Sequence, residues 1–250
     1  MNVGRFFLLL SIVGAVGIII FFLNSRSSKR LSSQDVAVQR KNSSANQPLI
    51  TGIQRQDKNL SAEDVNTDFD PVFGDDNAPL TFVYWLDFQC PLCRQFELNT
   101  FPKLIEKYVE TGKMKIVLKD LQFIGQDSQE AAWIAKAVWE LYPDLYLEWH
   151  KKMYDYQDAS NSGFGDYDSV LQMIEKEFTG RIDAARIDKY VSENKLRLQK
   201  EQDDDKAEGI LYGIVATPGF VIGKERITGV QPLSFFENVI QSELDRLGVN

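Results

Sequence analysis

"LTFVYWLDFQCPLCRQF", residues 80–96, decides how the rest of this chain is read. Leu80 to Phe88 form a dense β-branched and aromatic run, the composition of a central strand buried on both faces. Cys90 and Cys93, the two cysteines of the 250-residue chain, then flank Pro91 and Leu92. Beyond them Leu92, Phe96, Phe101, Leu104, Ile105, Tyr108 and Val109 recur at helical spacing as far as Gly112, and Pro102 predicts a kink. The cysteines therefore fall where a strand turns into a helix N-terminus. "MKIVLKDLQF" (114–123) predicts the next strand, completing a βαβ unit with a parallel pair.

Four chemistries compete for this cysteine pair. Zinc needs about four ligands, and the chain has no third cysteine and one histidine, His150, so no metal site is expected. A cysteine hydrolase would need His150 delivered to the thiolate, and leaves Cys93 without a task. A structural bridge across C-x-x-C closes so small a loop that it stabilises little. A redox pair suits the position best. The unpaired N–H groups and partial positive charge of a helix N-terminus favour thiolate over thiol, and proline is at home at the first helical position.

Outward from this unit, Gly125 opens a helical region with Ala131, Ile134, Ala135, Val138, Leu141 and Tyr142 on one face, broken by Pro143. Further helices are expected from Ser169 to Phe178 and from Asp183 to about Leu211, the latter as one helix or two. Tyr142, Tyr146, Trp149, Tyr154 and Tyr156 are read as core rather than as a peptide groove, and His150 as structural. "DDD" at 203–205 lacks calcium-loop spacing and is expected on a solvated helix face. "GFVIG" (219–223) and "ERITGV" (225–230) predict a hairpin around Gly223 and Lys224, followed by a helix from Pro232 to Leu247.

The formal charge of -8 is uneven: residues 1–41 hold six Lys/Arg and Asp35, leaving 22 basic against 35 acidic side chains, net -13, elsewhere. So acidic a body excludes a nucleic-acid role, since it repels phosphate. Residues 6–23, "FFLLLSIVGAVGIIIFFL", approach the length that spans a bilayer and exit through Asn24, Ser25 and Arg26 without a small-residue cleavage site. They predict an uncleaved transmembrane anchor (1–24). The flanking charges taken alone favour the opposite orientation, and the cysteine chemistry is what places the body outside the cytoplasm. Residues 25–67, rich in Ser, Asn, Gln and Asp and free of aromatics until Phe69, predict a flexible tether.

"GDDNAPLTFVYWLDFQCPLC" (74–93) resembles the N-terminal signature of the DsbA-like thiol-disulfide oxidoreductases of the thioredoxin superfamily, and "ATPGFVIG" (216–223) resembles their second signature. The resemblance covers about residues 69–250. It implies an α/β thioredoxin-like fold over 68–250, a central sheet flanked by helices, with a helical insertion at about 125–208. By the same resemblance Cys90 is the exposed attacking thiolate and Cys93 the buried resolving thiol. Pro218, if cis, keeps metal from the site and presents the Thr217 backbone to a substrate's extended chain.

Two departures stand out. Leu92 occupies the place of the histidine that helps hold the thiolate in the enterobacterial oxidase, which implies a less oxidising couple. Tyr84 stands where many relatives have an acid six residues before the first cysteine. Asp87, nearer in sequence, is read either as a proton relay for Cys93 or as a strand-end acceptor. The implied activity is net oxidation of exported protein thiols by a monomeric catalytic domain with no cofactor beyond its redox-active disulfide. A quinone-linked membrane oxidase would regenerate it. A membrane-fed reductase and a copper-binding assembly factor are the alternatives.

Overall fold

The computed structural model describes residues 60–158 and 164–249. Five strands form one mixed sheet: β1 (Val72–Phe73), β2 (Leu80–Leu86), β3 (Met114–Asp120), β4 (Gly219–Ile222) and β5 (Glu225–Thr228), ordered β1-β3-β2-β4-β5. All seven residues of β2 are buried, as its dense run of β-branched and aromatic residues leads one to expect of a strand covered on both faces. It runs parallel to β3 and antiparallel to β4, with Tyr84 opposite Leu118 and Phe220.

The expected order of a βαβ half, a helical insertion and a ββα half is present. Helix α1 (Pro91–Asn99) buries Phe96 against Tyr84 and Phe220, with ring centroids 5.0 and 4.7 Å apart. The break sits where Pro102 predicts it: α1 ends, and a new helix, α2 (Phe101–Leu104), leads into a π turn at Ile105–Val109. The insertion comprises α3 (Gln126–Leu141), α4 (Tyr146–Tyr156), α5 (Tyr167–Glu177) and α6 (Ala184–Leu211). Asp166 and Asp183 cap α5 and α6, accepting from Ser169 N at 2.7 Å and Arg186 N at 3.1 Å. Helix α6 is a single 28-residue helix capped by Asp183 and ending at Leu211, which settles the expected span as one helix rather than two. Gly223 (φ 53°) and Lys224 turn the β4–β5 hairpin, where a Cβ on Gly223 would meet Glu243 Oε2 at 1.9 Å. Helix α7 (Leu233–Arg246) closes the domain.

Three expectations change. The first strand expected from the sequence begins at Leu80, yet a short edge strand, β1, precedes it and pairs antiparallel with β3. Residues 60–67, assigned to the tether, are folded: Ala62 and Val65 are buried, Ala62 N donates to Gly223 O at 2.7 Å, and Tyr212 Oη donates to Ser61 O at 3.0 Å. The triple aspartate is split, because helical spacing leaves Asp203 and Asp204 exposed and turns Asp205 inward. The anchor at 6–23 lies outside the described residues, among which no helix is long and apolar enough to cross a membrane.

Asp205 belongs to a buried ion cluster that joins β3, α3 and α6. Lys119 Nζ contacts Asp70, Asp205 and Glu208 at 2.5, 2.9 and 2.9 Å. Lys136 contacts Asp70, reaches Asp205 at 3.2 Å, and lies 3.9 Å from Asp120. Burial lowers the affinity of both ammonium groups for protons, but the summed carboxylates, Asp205 foremost, override it and hold both lysines charged. Burial also pushes Asp120 up to about 7 and Asp70 to about 6.

A carboxylate whose folded pKa is raised stabilises the fold fully below its unfolded value of 3.8, and that contribution is lost as pH rises through the folded value. Asp120→Asn is therefore expected to raise the unfolding midpoint above pH 7, to leave it unchanged near pH 4, and to flatten the slope between. Denaturant titrations across that range check it.

Candidate active site

Asp87 and Phe88 leave the end of β2 and the chain turns into α1, with Cys90 at the N-cap (φ −79°, ψ 118°) and Pro91 at the first helical position. Cys90 N donates to Asp87 O at 3.0 Å, and Cys90 O accepts the first helical bond from Arg94 N at 3.1 Å. Both cysteines are free thiols. The second predicted signature lies against the first: the Thr217–Pro218 bond is cis, and Cys90 Sγ lies 3.5 Å from Thr217 O. Thr217 Oγ1 is buried without a partner.

Electrostatics separate the two sulfurs. The Cys93 thiol, hydrogen-bonding to Cys90, lowers the Cys90 pKa to about 6, against burial and with help from Thr217 and the N–H groups of Cys93 and Leu92. Cys93, completely buried, is pushed well above the ordinary thiol range by burial and then by Cys90. Cys90 is itself only 6% exposed, which corrects the expectation of an exposed thiol: Cys93 beneath and Thr217 beside it cover the sulfur. Leu92 is 48% exposed, so its side chain faces outward while its backbone N–H serves the thiolate.

Asp87 is fully buried and gathers four donors: Gln89 N at 2.8 Å, Ser128 Oγ at 2.7 Å, Phe123 N at 3.1 Å and Ile124 N at 3.2 Å. Burial raises its carboxyl above the usual range, and these bonds hold it back. Such an arrangement suits the strand-end acceptor rather than the relay, because the donors belong to the turn, to the loop entering α3 and to the first turn of α3. Tyr84 is fully buried with an unpartnered hydroxyl, and burial followed by the neighbouring Cys93 keeps it protonated.

The insertion supplies contacts that nothing local in the sequence announces. His150 Nε2 meets Glu97 Oε1 at 2.8 Å between the rings of Phe88, Tyr146 and Tyr154, a structural role as expected. Tyr146, Trp149 and Tyr154 are core. Arg94 Nε donates to Tyr154 O at 2.8 Å, and Gln157 Nε2 donates to Phe88 O at 2.6 Å and Cys90 O at 3.3 Å. The partners of Gln157 lie 67 and 69 positions away, with no motif to connect them.

A helix-capping, low-pKa cysteine over a buried second thiol, on this fold, defines a thiol-disulfide oxidoreductase. A family profile described as Thioredoxin matches residues 66–242, and the chain belongs to that family. The chain is 26% identical over 174 residues to disulfide bond formation protein D of Bacillus subtilis, covering 70% of this chain and 77% of that protein. It is 27% identical over 163 residues to the probable disulfide bond formation protein D of Bacillus cereus, covering 62% and 75%. Among solved structures, oxidised BdbD of Bacillus subtilis superposes with a TM-score of 0.65 at 23% identity, over 72% of this chain and 95% of that one. The alpha-DsbA1 of Wolbachia pipientis gives 0.63 at 24%, over 75% and 98%. These two likenesses concern the fold.

Proposed function

We propose that the chain forms disulfides in exported proteins, with Cys90 as the nucleophile, Cys93 as the resolving thiol, and residues 6–23 anchoring an extracytoplasmic domain to a membrane. The observation that carries the direction is the placing of Cys90 at the N-cap of α1 over the completely buried Cys93, an arrangement that lowers the Cys90 pKa to about 6 and keeps Cys93 neutral. A stabilised thiolate favours the reduced enzyme, and a couple that prefers to be reduced oxidises its substrates. The names of the Bacillus relatives, disulfide bond formation protein D, support the same direction.

In the oxidised enzyme a substrate thiolate attacks Cys90 Sγ, the Cys90–Cys93 bond breaks, and Cys93 leaves as a thiolate that takes up a proton. A second substrate thiolate then attacks the substrate sulfur of the mixed disulfide and Cys90 leaves as thiolate. Two electrons have moved from the substrate dithiol to the enzyme pair, and a quinone-linked membrane oxidase removes them. Thr217, with its carbonyl at the sulfur, presents backbone to the substrate's extended chain.

Equilibration with glutathione buffers tests the direction. A reduction potential well above about −270 mV, the thioredoxin value, is expected, and one at or below it overturns net oxidation in favour of a reductase. Leu92→His is expected to lower the Cys90 pKa further and make the couple more oxidising, since an imidazolium two residues from the thiolate adds a positive charge that leucine lacks, even from an outward-facing side chain. Thiolate absorbance against pH checks it.

A further inference from the structure

Much of the redox turn is held by its own bonds. Cys90 N and Gln89 N both donate to Asp87, to its carbonyl at 3.0 Å and its carboxylate at 2.8 Å. Phe88 and Cys90 are buried, so their carbonyl oxygens need partners from the protein. Gln157, which caps the C-terminus of α4 and is 4% exposed, reaches both with one amide nitrogen. Its Oε1 is buried without a partner. The opposite amide orientation would set that oxygen against two carbonyl oxygens, so the donor assignment is forced. A buried amide whose acceptor goes unused while its donor serves two carbonyls is kept for the donor.

Further contacts from the same part of the insertion support this clasp. Tyr154 O accepts from Arg94 Nε at 2.8 Å, and Gln89 Nε2 donates to Phe164 O at 3.0 Å. Gln89 also lies so close to Gly165 (φ 125°) that a Cβ there would come within 1.5 Å of its amide nitrogen. The residues around the end of α4 and the start of α5 thus hold the turn from both sides of Cys90.

We propose that Gln157 is a positioning residue for the nucleophile: its amide fixes the extended N-cap conformation from which Cys90 Sγ meets Thr217, Cys93 and the first N–H groups of α1. An N-cap residue must keep an extended backbone while its carbonyl accepts the first helical bond. Gln157 bonds that same carbonyl and, through the same nitrogen, the one two residues before it, so the Phe88 bond holds the amide in place and the cap cannot rotate without breaking the bond to Cys90 O. Hydrogen bonds to the sulfur weaken steeply with angle, so a cap that rotates loses its thiolate donors.

This inference rests on Cys90 being the nucleophile, and the experiment separates the two. Gln157→Leu removes the donor in a similar volume. Gln157→Asn keeps an amide one methylene too short to reach, and serves if the leucine variant does not fold. In the full chain, both are expected to raise the Cys90 pKa by about one unit and to shift the glutathione equilibrium roughly tenfold towards the enzyme disulfide. A low wild-type pKa that stays unmoved in the folded variants, even with a lowered melting temperature, overturns the role of Gln157 alone. An ordinary pKa in the wild type overturns the nucleophile assignment and this inference with it.

Discussion

Serine in place of Cys90 is expected to abolish disulfide exchange, whereas alanine in place of Cys93 is expected to leave a reactive thiol that alkylates only at higher pH. Cys93 cannot substitute for the lost nucleophile, because it is completely buried and held in its neutral form. Removing Cys93 deprives the Cys90 sulfur of the contact that lowers its pKa most. The pKa then moves from about 6 towards the free-cysteine value of about 8.5, which cuts alkylation at pH 6.5 roughly tenfold. Iodoacetamide labelling across pH 5–9 reads both variants. Equal labelling of wild type and Cys93→Ala at pH 6.5 would show that Thr217 and the helix N–H groups hold the thiolate without Cys93.

Lys136→Met is expected to destabilise the domain by about 3–5 kcal/mol, the usual consequence of breaking a buried ion pair from one side. Lys136 is 2% exposed and faces Asp70, Asp120 and Asp205. Without it Lys119 alone opposes those carboxylates, and desolvated charges lie within a few ångströms of one another. The loss should shrink towards pH 4, where protonation of Asp70 and Asp120 relieves the repulsion, since burial has raised both. Urea denaturation at pH 4 and pH 8 measures it. A loss below about 1 kcal/mol at pH 8 would mean that water enters the cluster and screens it.

The redox centre was legible in the sequence because its signals are local. A strand buried on both faces, proline at the first helical position and two cysteines one helical turn apart each follow from neighbouring residues. The hairpin at Gly223 and the breaks at Pro102 and Pro143 were legible for the same reason, since each is a restriction on one residue's own backbone. The thioredoxin-like architecture was implied by the resemblance of two such local stretches, in order, to the signatures of a known family.

The polar partners were not legible. Lys119 and Asp120 sit in what reads as an ordinary strand, and Asp205 in what reads as a solvated acidic run, yet all three are buried because β3 and α6 face each other. Residues 60–67 look like tether by composition and fold only because the sheet end and α6 offer Gly223 O and Glu208 as partners. What the sequence determined alone was the chemistry at Cys90 and Cys93. What tertiary structure decided was the burial of both sulfurs, the placing of Thr217 against Cys90 and the clasp of Gln157, because contacts between residues far apart in sequence arise only once the chain has folded.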